Sequence, residues 1–262
     1  MTITDSAPVR LSVRGLAKSY QTKNGAVPVI ADLTFDVRVG EVCCIVGPSG
    51  IGKTTLLKCL TGLQSITAGS ASIDGEEIDG PPATLALLFQ EYTRSLMPWL
   101  TVAKNVRLPL QHLKLSAQER EERITSALTA VGLAGAEAKF PWQLSGGMQQ
   151  RVAIARAIAY RPEVLVMDEP FASVDAQTRF ELEDLCLRIR EQFGMTIVIV
   201  THDIDEAVYL SDRVVVLGER PARVTEIIEI DFGGPRDQLT TRALPAFAEL
   251  RSEIFEQIRK AG

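Results

Sequence analysis

The chain has 262 residues, with 28 Lys and Arg against 33 Asp and Glu and a net charge of −5. This length allows one large domain or a core with a subdomain, and the acidic balance gives no overall attraction to nucleic acid. No apolar run approaches the roughly 20 residues that span a bilayer, and residues 1–10 lack the apolar region of a signal peptide. We therefore expect a cytoplasmic protein without a nucleic-acid partner, whose four cysteines are buried thiols.

The N-terminal part of the chain predicts two kinds of strand. Apolar and polar residues alternate over residues 33–39, which indicates a half-buried antiparallel strand that turns at Gly40 and Glu41. Residues 42–46 are apolar without interruption, which is typical of a strand covered on both faces. The same pattern predicts further buried strands at 85–89, 164–167 and 197–200.

A glycine-rich segment follows the first buried strand. Residues 47–55 read GPSGIGKTT, match G-x-x-x-x-G-K-[ST], and lead into a helix with a leucine stripe. Glycines let backbone N–H groups surround phosphates, while Lys53 can neutralise their charge and Thr54 can offer a hydroxyl to Mg²⁺. A plain glycine-rich turn before a helix would not explain the strand, the loop and the Lys-Thr pair together. This segment therefore predicts a nucleotide phosphate site.

Three apolar strands end on polar side chains. Asp168 and Glu169 follow one strand, His202 follows another, and Gln90 ends a third. Ligands of parallel sheets bind at the carboxyl ends of strands, so we predict that Asp168 holds Mg²⁺ and that Glu169 polarises the attacking water. His202 can hydrogen-bond a γ-phosphate oxygen, and Gln90 can reach the metal or the water. Taken singly, a solvated acid, a structural histidine and a surface glutamine are the ordinary alternatives.

A second segment can also bind anions. Residues 144–151 read LSGGMQQR, and Ser145 with two glycines opens a predicted helix. Glycine leaves the backbone N–H groups accessible and a helix N-terminus carries partial positive charge, although a Ser that merely caps a helix is the alternative. Tyr20, which precedes the glycine-rich loop, can stack on adenine, but a packed or exposed tyrosine fits the local sequence equally well.

Helical patterns replace strands between about residues 92 and 161. Ser116 and Glu119 form a capping box before an apolar stripe, and Gly132 is placed to end that helix. This block predicts a helical subdomain inserted between core strands. From about Pro245, apolar residues at helical spacing predict a terminal packing helix. They are Phe247, Leu250, Ile254 and Ile258.

These motifs occur in one order from residue 9 to about 230, and in that order the chain resembles the ATPase subunits of ABC transporters. The resemblance implies an α/β fold with a RecA-like P-loop NTPase core, an N-terminal antiparallel β-subdomain and an inserted helical subdomain at about 92–161. It places a nucleotide-binding domain at 9–232 and a C-terminal helical tail at 233–262. It also implies ATP and Mg²⁺ as the bound cofactors.

The resemblance assigns a role to individual residues. Catalysis falls to Lys53, Gln90, Glu169 and His202, and Mg²⁺ binding to Thr54, Gln90 and Asp168. The residues implied to contact ATP are Tyr20, Gly47, Pro48, Ser49, Gly50, Gly52, Lys53, Thr54, Thr55, Ser145, Gly146, Gly147 and Asp175. Because Ser145 and its glycines would serve the ATP of a second copy, the resemblance also implies a head-to-tail pair of ATPase subunits.

The segment FQEYTRSLMPWLTVAKNV, which begins at Phe89, resembles the nitrate, sulfonate and taurine group of bacterial importers. This implies transmembrane permease subunits, a periplasmic or lipid-anchored solute-binding protein, and a place on the inner face of the cell membrane. Residues 92–100, with Leu96 and Trp99, are then a docking surface for the permease, local packing being the alternative. A soluble ABC ATPase of DNA repair or translation is the competing function, while a P-loop kinase would not explain LSGG and His202.

Overall fold

The structure, a computed structural model, describes residues 7–90 and 95–261. Its strands are β1 Val9–Thr22, β2 Gly25–Arg38, β3 Val42–Val46, β4 Ala68–Ile73, β5 Glu76–Glu77, β6 Leu85–Leu88, β7 Val164–Asp168, β8 Thr196–Val200, β9 Arg213–Gly218 and β10 Ala222–Glu229. Its α-helices are α1 Lys53–Leu60, α2 Val102–Arg107, α3 Ala117–Ala130, α4 Gly146–Ala159, α5 Ala176–Phe193, α6 Ile204–Leu210 and α7 Pro245–Ala261, with 3-10 helices at Leu108–His112 and Pro141–Gln143. The strands form one sheet in the order β5-β4-β1-β2-β10-β9-β3-β8-β7-β6.

Parallel strands form the core of the sheet. β3 pairs with β9 on one side and with β8 on the other, and β7 and β6 follow in the same direction. Successive side chains of a strand point to opposite faces. Cys43 and Ile45 therefore join the apolar cluster of α1, whereas Cys44 and Val46 join the cluster that contains α4 to α7. The prediction that this strand is covered on both faces is confirmed.

An antiparallel unit lies beside the parallel strands. β1 pairs with β2 and β4, and β2 buries Leu33, Phe35 and Val37, as the alternating pattern predicted. The turn after β2 uses Gly40 at φ 73°, where the Glu41 N–H donates to the Arg38 carbonyl at 3.1 Å. β10 joins this unit to the core because it runs parallel to β2 and antiparallel to β9.

The helical insertion lies between β6 and β7 in the chain and contains α2, α3 and α4. Its predicted capping box is confirmed, since the Ser116 side chain accepts from the Glu119 N–H and the Glu119 side chain accepts from the Ser116 N–H. Gly132 follows the helix at φ 72°, a left-handed conformation that ends helices. The predicted domain boundaries at 9, 92, 161 and 232 stay a prediction.

Two expectations for the segment around Gln90 were wrong. β6 lies at the edge of the sheet, so only Leu88 of the predicted buried strand is fully buried, and Phe89 is 49% exposed. Leu96, expected on a docking surface, is only 3% exposed because it packs in the core. Tyr92, which belonged to the same expected surface, lies outside the described residues.

The C-terminal helix α7 packs against the core. It buries Phe247 and Ile254 in the same apolar cluster as α5, α6 and β3, which confirms the predicted packing helix. The four cysteines are free and buried, as expected. Among the helices of the described residues, none combines the length and the apolar character needed to cross a membrane.

Candidate functional site

Three glycines shape the loop between β3 and α1. A Cβ atom on Gly47 would lie 2.6 Å from the Leu217 carbonyl oxygen, so a side chain there would force the loop away from β9. Gly50 and Gly52 adopt φ values of 73° and 115°, which favour glycine. Gly52 is the N-cap of α1 and no side chain caps this helix, so the N–H groups of its first turn can bind an anion.

The Lys53 ammonium lies inside this loop. Its Nζ donates to the carbonyl oxygens of Gly47 at 2.8 Å and Pro48 at 3.1 Å. Burial lowers the pKa of Lys53, and the nearby carboxylates of Glu169 and Asp168 raise it again. The loop therefore holds a partly desolvated cation beside two acids, where a phosphate group would find a strong electrostatic partner.

Asp168 ends β7 beside the same loop. Its pKa is raised by burial and by the Glu169 charge, while Lys53 and the nearby Thr54 hydroxyl lower it. The described residues contain no cluster of three His, Cys, Asp or Glu side chains that could bind a metal on its own. Mg²⁺ is typically held by one or two protein oxygens together with substrate phosphates, so the converging oxygens of Thr54 and Asp168 fit this ion.

Glu169 brings the ends of three strands together. Its backbone adopts φ 44° and its N–H donates to the Val200 carbonyl at 2.8 Å, which fixes the residue against β8. The Gln90 Nε2 donates to Glu169 Oε2 at 3.0 Å, and the His202 Nδ1 lies 3.2 Å from Glu169 Oε1. The structure thus joins Gln90, Glu169 and His202 in one cluster, as expected for residues that end parallel strands.

Tyr20 lies near the start of α1. Its hydroxyl donates to Gln64 Oε1 at 2.6 Å and lies 3.4 Å from the Thr55 Oγ1, and the Lys18 Nζ is 5.4 Å from the centre of its ring. The ring is partly exposed. This position is compatible with a stacked base, and the adenine contact of Tyr20 stays a prediction.

The second glycine segment opens α4. Ser145 is the N-cap and accepts a hydrogen bond from the Met148 N–H at 3.3 Å, so the capping interpretation is confirmed. The same helix end can also bind an anion, because Ser145 and Gly146 are exposed at the N-terminus of a long helix. Within the described residues no hydrogen bond or ion pair joins Ser145, Gly146 or Gly147 to the loop at 47–55.

Gly147 packs against the start of α5. A Cβ on Gly147 would lie 2.6 Å from Thr178 Cγ2. Asp175, the N-cap of α5, accepts from the Thr178 N–H at 3.0 Å and from the Thr178 hydroxyl at 2.7 Å. The first turns of α4 and α5 are therefore closely packed, and a methyl group at position 147 would force the Thr178 side chain to move.

We expect Gly147→Ala to destabilise the protein by about 1–2 kcal/mol, because the added methyl group overpacks against Thr178 Cγ2. Thr178→Ser removes that Cγ2 atom and keeps the hydroxyl that donates to Asp175. The double variant should therefore recover the lost stability in urea denaturation, and Thr178→Ser alone is the matched control. Equal destabilisation with and without Thr178→Ser would contradict this packing argument.

Several residues around the cluster were not found from the sequence. Gln150 is fully buried and donates to the Pro170 carbonyl, which ties α4 to the loop after Glu169. Arg179 on α5 pairs with Asp203, next to His202. Of these residues, only Asp203 could have been noticed in the sequence, because an Asp before a short helical run is typical of an N-cap. In the structure it does cap α6.

Comparison with known proteins supports one family. Residues 30–172 match the family model described as ABC transporter. The chain is 45% identical over 97% of its length to an uncharacterised ABC transporter ATP-binding protein of Methanocaldococcus jannaschii, covering 93% of that protein. It is 41% identical over 92% of its length to a nitrate import ATP-binding protein of Synechococcus elongatus, covering 88% of it. For an aliphatic sulfonates import ATP-binding protein of Bacillus thuringiensis, identity is 38% and coverage 96% and 97%.

Solved structures are similar as well. The cbiO1 protein of Clostridium perfringens, described as part of the ABC transporter complex cbiONQ, superposes with a TM-score of 0.77 at 28% identity, over 85% of this chain and 89% of that one. A dimeric ATP-binding cassette in a post-hydrolysis state with ADP and phosphate superposes with a TM-score of 0.72 at 30% identity, over 84% of this chain and 99% of that one. The chain therefore belongs to the ABC transporter family and is one of its ATP-hydrolysing subunits.

Proposed function

We propose that the chain is the energy-coupling subunit of an importer for a small anion such as nitrate or a sulfonate. The observation that carries the ATPase part of this proposal is the convergence of Lys53, Asp168 and Glu169 at one edge of the sheet, with Gln90 and His202 in contact with Glu169. The importer part is supported by the names of the nitrate and sulfonate import relatives. A function in DNA repair or translation has no comparable support.

The residues divide the hydrolysis of ATP between them. The N–H groups of the glycine loop at residues 47–55 and the Lys53 ammonium bind the phosphates, and Tyr20 stacks on the adenine. Thr54 and Asp168 would hold Mg²⁺, which would neutralise charge on the phosphates. Glu169 is the general base for the attacking water; the hydrogen bond from Gln90 and the contact with His202 at 3.2 Å hold the carboxylate in place.

We propose that the functional form is a head-to-tail pair of chains. Among the described residues, Ser145, Gly146 and Gly147 make no hydrogen bond to the loop at 47–55 of the same chain. We propose that they bind the γ-phosphate held by the second copy. Asp175 lies beside them at the start of α5. The dimeric form of the similar solved cassette supports this arrangement.

A membrane permease is the proposed partner beyond the second ATPase subunit. Next to Gln90, residues of β6 and α4 line a groove of about 240 Å³, together with Phe89, Pro109 and Tyr160. Trp99, which is 71% exposed, follows in the same segment of the chain. An apolar groove with an exposed Trp suits a helix of a partner protein, and it would connect that helix to the cluster around Glu169. We also propose that a solute-binding protein lies outside the membrane, and that this chain lies in the cytoplasm at the inner face of the membrane.

We expect Trp99→Ala to reduce recovery of the permease in a pull-down from solubilised membranes by at least ~10-fold, since exposed Trp residues are frequent hot spots of interfaces. Trp142→Ala is the matched control because Trp142 is also 71% exposed and lies elsewhere in the helical insertion. Leu96→Ala would test folding instead, as that side chain is buried. Recovery of ribosomes or DNA in place of an integral membrane protein would overturn the proposal.

A further inference from the structure

The segment that carries His202 is fixed by an ion-pair network from α5. The Arg179 Nη1 donates to Asp203 Oδ2 at 2.8 Å, and its Nε lies 3.7 Å from Glu206 Oε1. The Thr201 hydroxyl donates to Glu206 Oε2 at 2.7 Å and accepts from the Asp203 N–H at 3.0 Å. Both neighbours of His202 in the chain are therefore bound within one network, and Arg179 is the cation in it.

The His202 side chain itself has little support. It is 58% exposed, and among the described residues its one charged partner is Glu169, at 3.2 Å. Apart from this contact, the position of the imidazole depends on the backbone of Thr201 and Asp203, which carries it. Catalytic groups must be held to about 0.5 Å of their productive position, so a network that fixes this backbone also sets the geometry of His202.

The charges around Glu206 show what the loss of Arg179 would do. Burial raises the pKa of Glu206 to about 7, the Thr201 hydrogen bond and Arg179 oppose this rise, and the charges of Asp203 and Glu183 add to it. Glu183 faces the group from α5 and is itself paired with Arg242 of the C-terminal tail. Without Arg179, the pKa of Glu206 would rise further, and Asp203 would lose the cation that holds it to α5.

Arg179 also lies one helical turn after Asp175. Its N–H donates to the Asp175 carbonyl at 2.9 Å, and the intervening Thr178 packs against Gly147 at the start of α4. A shift of the first turn of α5 would therefore move Arg179 and, through Asp203, the segment of His202. The first turn of α5 and the His202 segment are in this way parts of one connected unit.

We propose that Arg179 is a positioning residue for ATP hydrolysis. It holds the imidazole of His202 in the orientation needed for catalysis and couples that orientation to the position of the first turn of α5. This inference rests on the proposed function of His202. Among the described residues, Arg179 forms no hydrogen bond or ion pair with the loop at 47–55 or with Glu169, so we infer that it acts on the reaction through Asp203 and His202.

The first test separates turnover from ATP binding. Arg179→Met should lower kcat about 10-fold and leave KM for ATP within about twofold, because the phosphate-binding loop is untouched. Arg179→Lys keeps a cation near Asp203 and should recover part of the loss. Glu181→Gln is the matched control. Glu181 also lies on α5, but its ion pair is with Arg151, at the surface, and is not part of the network around His202. We expect normal turnover from Glu181→Gln.

The second test needs no catalysis. The chain has two histidines, His112 and His202, so a protein labelled at histidine gives two sets of imidazole NMR signals. Arg179→Met should shift the His202 signals and leave those of His112, which is exposed in a distant 3-10 helix, as an internal reference. Glu181→Gln should shift neither set. Unchanged His202 signals in Arg179→Met would overturn the proposal.

A double-variant cycle distinguishes this inference from the proposed function. If His202 acts in hydrolysis and Arg179 acts through it, Arg179→Met adds no further loss of turnover in a His202→Ala background. Normal turnover of His202→Ala would instead refute the role proposed for His202. A further loss of turnover in that background would refute the positioning role alone. Should Arg179→Met fold poorly, Asp203→Asn breaks the same ion pair and keeps the N-cap of α6, with the same expected outcomes.

Discussion

Glu169→Gln is expected to lower ATP turnover by at least ~100-fold and to leave the protein as an ATP-bound dimer. The carboxylate is the proposed general base, a function worth about 10² to 10⁴ in rate, whereas an amide cannot accept the proton. The substituted side chain keeps the size of Glu, so the phosphate-binding loop and Lys53 should still bind ATP. Steady-state ATPase assays and sedimentation with Mg-ATP measure the two effects.

The matched control for this prediction is Glu163→Gln. Glu163 precedes β7, at the opposite end from Glu169, and pairs with Arg10 on the surface. We expect near-normal turnover from it and no dimer trapped by ATP. If Glu169→Gln loses turnover but remains a monomer at saturating Mg-ATP, the head-to-tail pair is refuted for the isolated chain, while the general-base function stands.

The sequence was informative about this site because of the geometry of parallel sheets. Asp168, Glu169 and His202 follow apolar strands, and parallel neighbours place such residues at one edge whatever the order of the strands. Their convergence around Glu169 was therefore predictable from strand ends alone. The glycine loop was also predictable, since its required residues are consecutive in the chain and its neighbouring strand and helix show clear periodicity.

The contacts that orient the site could not be predicted in this way. Arg179 and Asp203 are far apart in the chain, and no sequence pattern predicts that they form an ion pair. The pair forms only when α5 packs beside α6. The edge position of β6 was missed for a related reason. A short apolar run looks the same in a central and in an edge strand, and burial is then decided by which strands and helices pack beside it.

The C-terminal tail gives a second example. The apolar stripe predicted α7, but no sequence pattern indicated how the tail is fixed to the core. Arg242 pairs with Glu183 at 2.7 Å, and its guanidinium lies 4.8 Å from the ring centre of Tyr209 and 4.9 Å from that of Phe180. Tyr209 belongs to α6, the helix that follows His202. The tail is thus anchored to the two helices that hold the His202 segment.

We expect Arg242→Met to destabilise the protein by about 3 kcal/mol or more, as measured by urea denaturation at pH 8. Glu183 is fully buried, and removal of one partner of a buried ion pair leaves an uncompensated charge. The Gln238 Nε2 still donates to Glu183 at 2.9 Å but cannot supply a positive charge. Lys260→Met on the same tail is the surface control, because its pair with Glu256 is exposed and should contribute less than about 1 kcal/mol.

The destabilisation by Arg242→Met should also depend on pH. Burial raises the pKa of Glu183 above its ordinary 4.5, and Arg242 opposes this rise, so the folded variant holds the proton to a higher pH than the wild type does. Above pH 4.5 the unfolded chain releases that proton first, and stability falls as pH rises. The loss should therefore be smaller at pH 5 than at pH 8. Adding Glu183→Gln removes the charge and should recover most of the stability at pH 8, and a double variant as unstable as Arg242→Met would refute the ion-pair explanation.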